Sequence, residues 1–127
     1  MNKNILTKHN NKKQSFLTKT EKRGISEFIE EIKNQLKDNL LSVKILGSKV
    51  KGNFSSESDI DLFILVKKRD YSIMHIISGI STEIDLKYNI NTSPIISSVS
   101  EHNKEIYFHT LFVKNLKREG KTIYEAK

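Results

Sequence analysis

The chain has 127 residues, 36% hydrophobic and 29% charged, with a formal net charge of +7, the size of one domain with a modest core. It has no cysteine, which excludes disulfides, thiolate zinc sites and a cysteine nucleophile. No apolar run approaches the roughly 18 residues of a spanning helix, and no apolar stretch of a secretory signal follows the basic, Asn-rich start, so the composition fits a cytoplasmic protein without a membrane segment.

The positive charge is concentrated at one end. Residues 1–23 hold seven basic side chains against Glu21 alone, a net of +6, and the remainder holds 15 basic and 14 acidic residues, a net of +1. Residues 1–16 are polar and without a sustained period, so residues 1–17 read as a flexible basic arm and 18–127 as a single folded domain. Either the arm is merely solvated or it touches nucleic acid; the body is nearly neutral, and the basic character belongs to the arm.

Thr18-Lys19-Thr20-Glu21 has the form of a capping box. Behind it Ile25, Phe28, Ile29, Ile32, Leu36 and Leu40 recur at three- and four-residue spacing, which predicts a helix over about 19–38. Leu41 to Leu46 reads as a strand ending at Gly47. Asp59 to Val66 reads as a second strand, and its five apolar residues from Leu62 to Val66 predict burial on both faces at the centre of a sheet. Asp70 or Ser72 can cap a second helix carrying Ile73, Ile76, Ile77, Ile80 and Ile84. Tyr88 to Val99 is rich in β-formers, and Pro94 within it predicts an edge strand or a bulge. A last helical region begins at Ser100, with Ile106, Leu111, Phe112 and Leu116 as apolar positions and Gly120 as its terminator. Ile123 and Tyr124 suit a short closing strand.

The chemistry lies between the first two strands. Residues i and i+2 of a strand share a face, so Asp59 and Asp61 project side by side, with Cβ atoms on the order of 6–7 Å apart. Two adjacent carboxylates against a core repel each other and are costly to bury unless a cation compensates. Oxygen ligands so arranged suit Mg²⁺ or Mn²⁺ sharing a phosphate. Gly47 permits a sharp turn and close backbone approach, and Ser48 offers a hydroxyl and an N–H to phosphate. Lys49 and Lys51 add positive charge beside them. Together these residues describe a seat for a metal-bound nucleoside triphosphate. The four histidines, His9, His75, His102 and His109, show no metal-ligand spacing, and Glu57 reads as a solvated loop residue.

Gly47-Ser48, ten residues, then Asp59-x-Asp61 resembles the signature of the DNA polymerase β-type nucleotidyltransferase superfamily; GSKVKG…SDIDL here is similar to that family's GSRARG…SDIDL. The short chain resembles the minimal nucleotidyltransferases, antitoxin-type partners of HEPN-domain proteins, and Phe112 to Gly120 resembles their N-I-x-x-E-G ending. The resemblance covers roughly residues 18–125. It implies an α/β (α+β) fold, a small mixed sheet flanked by helices, and transfer of AMP from ATP to a hydroxyl. Asp59 and Asp61 would bind Mg²⁺, Gly47 and Ser48 would hold the triphosphate, and the acceptor would be a tyrosine of a HEPN-type toxin. The family also places a third, catalytic carboxylate on the strand after the second helix. Asp85 fills that place if the helix stops near Gly79. If the helix runs on to Lys87, Asp85 lies on its end and the strand carries no carboxylate. A domain lacking that group would be a binding or neutralising module rather than an active enzyme.

Overall fold

The computed structural model describes residues 3–4, 17–46, 59–107 and 111–126. In chain order the elements are β1 (Lys3–Asn4), α1 (Lys19–Leu36), a 3₁₀ turn (Lys37–Asn39), β2 (Leu40–Leu46), β3 (Ile60–Val66), α2 (Tyr71–Tyr88), β4 (Thr92–Ser98), α3 (Val99–Tyr107), α4 (Leu111–Glu119) and β5 (Lys121–Glu125). The strands form one sheet in the order β1-β5-β2-β3-β4. Only β3 and β4 run parallel, joined across α2; the other pairs are antiparallel. This is the mixed sheet with flanking helices expected from the sequence.

Local chemistry accounts for the helix ends. The Thr18 hydroxyl accepts from the Glu21 N–H at 3.1 Å while the Glu21 carboxylate accepts from the Thr18 N–H at 2.9 Å, a closed capping box that starts α1. The helix ends at Leu36, earlier than the periodicity predicts, because Lys37 turns to φ 50° and a 3₁₀ turn carries the chain into β2. Asp70 caps α2 by accepting from the Ile73 N–H at 2.9 Å. The helix runs without interruption to Tyr88 and closes on Asn89 in the left-handed region, φ 53°, a conformation asparagine tolerates better than most residues. The single last helix expected from the sequence is two, α3 and α4. Ile106 on α3 is exposed rather than packed.

The alternation along β3 divides the molecule into two faces. Ile60, Leu62, Ile64 and Val66 are fully buried and share one core with Ile25, Phe28, Ile29 and Ile32 of α1 and Ile77, Ile80 and Ile84 of α2. Each such side chain contributes about 1.5–3 kcal/mol of burial free energy. Asp61, Phe63 and Leu65 point to the opposite face, where Phe63 is buried outside that core and its ring lies 5.2 Å from the His102 ring of α3. Pro94 sits in β4, which pairs with β3 alone among the described strands and so spares the ladder a missing donor. Two residues of the basic arm, Lys3 and Asn4, pair with Glu125 and Tyr124 of β5, and Leu17 is buried in the core.

Candidate active site

The candidate site residues Asp59 and Asp61 sit at the head of β3. Asp59 precedes the strand and is exposed; Asp61 is its second residue and is half-buried. Burial, reinforced by the neighbouring Asp59 charge, pushes the Asp61 carboxyl above its ordinary value of 3.8. The chain thus holds two like charges together on a partly dry surface, the arrangement that a cation relieves. On one side Asp61 is paired with Leu46, the last residue of β2; on the other it is in register with Ser93 of β4. Gly47 and Ser48 follow Leu46 directly in the sequence. Gly47, Ser48, Lys49 and Lys51 themselves lie outside the described residues.

Asp85 is placed by the longer of the two helices the sequence allowed. It lies in the last turn of α2, and its Oδ1 accepts from both the N–H and the hydroxyl of Thr92, each at 2.9 Å. The Thr92 hydroxyl also bonds the buried Ser81. Thr92 is in register with Ile60, whose side chain belongs to the α1–α2 core. Asp85 is therefore on the opposite face of the sheet from Asp61. It fastens the start of β4 to α2 and does not join the aspartate pair. Among the described residues no three His, Asp or Glu side chains converge as metal ligands, and the β4 residue that faces Asp61 is Ser93. Sequence reasoning missed Ser93 because only strand register reveals which β4 position meets the pair.

His102 shares the Asp61 face through its contact with Phe63. Its Nδ1 is buried and has no hydrogen-bond partner among the described residues. Burial lowers its pKa, the charges of Lys44 and Lys117 act in the same direction, and Glu105 opposes them.

A family model described as poly(A) RNA polymerase, mitochondrial-like, central palm domain, matches residues 1–123. The chain belongs to this palm-domain family, within the nucleotidyltransferase superfamily. It is 29% identical over 104 residues to a candidate protein adenylyltransferase of Methanocaldococcus jannaschii, an alignment covering 82% of this chain and 98% of the relative. A second candidate protein adenylyltransferase of that organism is 43% identical over 77 residues, 57% of this chain and 74% of the relative. Among solved structures, the spectinomycin adenyltransferase of Enterococcus faecialis, determined with ATP and spectinomycin, superimposes with a TM-score of 0.59 at 20% identity over 83% of this chain. The chain spans 56% of that enzyme's length. A toxin-antitoxin structure with AMP-PNP superimposes with a TM-score of 0.52 at 13% identity, covering 80% of this chain and 73% of that one. These two structures share the fold. The relatives and the family together make the chain a nucleotidyltransferase. No helix among the described residues is long and apolar enough to cross a membrane.

Proposed function

We propose that the protein is a protein adenylyltransferase that moves AMP from ATP to a side-chain hydroxyl of another protein. The observation that carries this reading is the aspartate pair at the head of β3, Asp59 exposed and Asp61 half-buried, beside the strand end that leads into Gly47-Ser48. The names of the curated relatives support protein as the acceptor. The acceptor oxygen attacks the α-phosphorus of ATP, the bond to the β-phosphate oxygen breaks, and pyrophosphate leaves. Gly47 and Ser48 hold the triphosphate, with Lys49 and Lys51 beside it.

The donor set fits a divalent ion: two carboxylate oxygens side by side, one carboxyl driven toward protonation by burial and a like charge. Asp59 and Asp61 would hold Mg²⁺ or Mn²⁺, which would supply charge neutralisation at the phosphate oxygens. With Ser93 rather than a carboxylate facing the pair, the acceptor's proton goes to one of the two aspartates or to water. On the resemblance to minimal nucleotidyltransferases, the acceptor is a tyrosine of a HEPN-type toxin and the chain acts as its antitoxin. Asp85 serves as a positioning residue for β4.

That no third carboxylate joins the pair among the described residues favours a second reading, in which the domain binds nucleotide and a protein partner without turnover. One experiment separates the two. The protein, Mg²⁺ and ATP labelled at the α-phosphate are incubated with a HEPN partner. Transfer predicts a labelled partner with wild type and a loss of at least about 10²-fold with Asp59→Asn/Asp61→Asn. Labelling that survives the double substitution removes the metal site from the mechanism; a partner inhibited yet never labelled establishes the binding-only reading.

A further inference from the structure

Strand β4 carries four hydroxyl side chains, Thr92, Ser93, Ser97 and Ser98, and three of them are bonded into the fold. The Thr92 hydroxyl donates to Asp85 Oδ1 at 2.9 Å and meets Ser81. Ser97 donates to the Ser98 carbonyl at 3.3 Å. The Ser98 hydroxyl accepts from the Glu101 N–H at 3.2 Å. Ser93 differs: its hydroxyl makes no hydrogen bond among the described residues, and the residue is half-buried. A serine hydroxyl can donate one hydrogen bond and accept two, so this one is free to meet a group that enters the site.

Register decides what that hydroxyl faces. Ser93 stands beside Asp61 on the parallel strand β3, at the strand spacing of about 4.8 Å. Side chains alternate between faces along a strand. Thr92 and Pro94, beside Ile60 and Leu62, therefore lie on the face of the α1–α2 core, and Ser93 shares the face of Asp61. The next hydroxyl on that face, Ser97, is buried beside Leu65, four residues and roughly 13 Å further along. Asp59 is exposed at the head of β3, so the face opens to solvent at the Ser93 end. Strand pairing thus fixes one unbonded hydroxyl a side chain's reach from the aspartate pair.

We propose that Ser93 is an acceptor in its own right: the chain transfers AMP from ATP to the Ser93 hydroxyl and thereby closes its own site. The inference rests on the nucleotidyl-transfer reading above and adds a second acceptor, built into the sheet. Ser93 Oγ attacks the α-phosphorus of ATP and forms a new P–O bond. The bond from the α-phosphorus to the bridging β-phosphate oxygen breaks, and pyrophosphate leaves with the electron pair. With no carboxylate on β4 to take it, the hydroxyl proton passes to water. Holding the acceptor on a neighbouring strand gives an effective concentration of about 10⁵ M or more when the reacting atoms align, which offsets the roughly 10²–10⁴-fold that a positioned base would add. The product is a serine–AMP phosphodiester on the aspartate face of β4, where it blocks the next ATP, so each chain accepts one adenylyl group and stops.

The test starts from the full chain, freed of nucleotide and incubated with Mg²⁺ and ATP, alone and with the HEPN partner of the assay above. The intact chain should gain the mass of one adenylyl group, and fragmentation should place that mass on Ser93. Ser93→Ala should gain none, and Ser97→Ala should be modified as wild type is. After free nucleotide is removed, the modified chain should bind fresh ATP at least about tenfold more weakly than the unmodified chain. In a mixture of Ser93→Ala with Asp59→Asn/Asp61→Asn, the second chain keeps Ser93 but lacks the aspartate pair, and it should stay unmodified because the transfer occurs within one chain. Adenylyl mass on a residue other than Ser93 overturns the proposal. ATP binding that the modification leaves unchanged overturns it too, and so does modification of Ser93 in the mixture, which marks transfer between chains. No mass on wild type while the HEPN partner is labelled overturns the proposal and leaves the transfer reading in place; no label on either protein overturns both. Should Ser93→Ala fail to fold, the position of the adenylyl group on the wild-type chain decides.

Discussion

Asp61 and Asp85 stand at the same end of the sheet, on opposite faces, and differ in how their charge is satisfied. Asp85 accepts two hydrogen bonds from Thr92, which meet its charge within the fold. Asp61 is half-buried, has another carboxylate as its neighbour, and its carboxyl is driven above the usual range. A half-buried charge with its bonds made is architecture; a half-buried charge opposed by its surroundings marks a candidate site. The distinction lies in the surroundings of each group. Residue type alone cannot draw it, because an aspartate at a strand head and one at a helix end are written with the same letter.

The sharpest way to test this contrast is to place a carboxylate on the correct face. Ser93 is in register with Asp61 on the parallel neighbour strand, so Ser93→Asp adds a third acid beside the pair. If removal of the acceptor's proton limits transfer, the rate should rise toward the roughly 10²-fold that a positioned base contributes at the low end. Without metal the variant should be less stable than wild type, since three like charges then share one surface, and Mg²⁺ should restore its melting temperature. A folded variant with an unchanged rate would show that proton removal is not the slow step.

The converse substitution is Asp85→Ala. It leaves the Thr92 N–H without its acceptor and costs about 1–3 kcal/mol, several degrees of melting temperature for a domain of this size. Asp85→Asn, which keeps an acceptor oxygen, should lose less. Transfer measured well below both melting points should stay close to wild type. A hundredfold loss of transfer with no loss of stability would return Asp85 to the chemistry and break the comparison.

Much of the fold is legible in the sequence alone. The capping box at Thr18, the Asp70 cap, the apolar central strand β3, Pro94 on an edge strand and the aspartate pair all follow from rules that act within a few residues, where sequence and geometry are tightly linked. Asp85 is not legible, because the isoleucine-rich stretch from Ile76 to Ile84 suits either a helix that ends early or one that continues. Ser81 then holds Thr92 by a contact eleven residues away, which no local pattern announces. The face on which each strand residue falls depends on register between strands. Ser93 therefore becomes visible as a neighbour of the pair only once β4 is set against β3. Gly47, Ser48, Lys49 and Lys51 remain expectations of the motif and lie outside the described residues.

The smallest effect comes from a charge that is satisfied but exposed. Glu27 of α1 accepts from Lys87 Nζ at 2.9 and 3.0 Å and from the Tyr88 hydroxyl at 2.7 Å, clasping α1 to the end of α2. The hydrogen bond from Lys87, then that from Tyr88, lowers the Glu27 carboxyl below its ordinary 4.5. The same carboxylate raises Lys87 above 10.5 and Tyr88 above 10.0. A depressed acid contributes stability above its unfolded pKa and loses it as pH falls through the folded value. The raised lysine and tyrosine contribute below their unfolded pKa values and lose that contribution as pH rises through the folded ones. The clasp therefore acts on a plateau between the two limits. Glu27→Gln should lower the melting temperature by about a degree or two at neutral pH, and the difference from wild type should shrink below pH 4.5 and above pH 10.0. High salt should narrow it as well, because Lys87 is largely open to solvent. A difference that persists unchanged into acid and into high salt would mean that Glu27 holds the helices by packing rather than by charge.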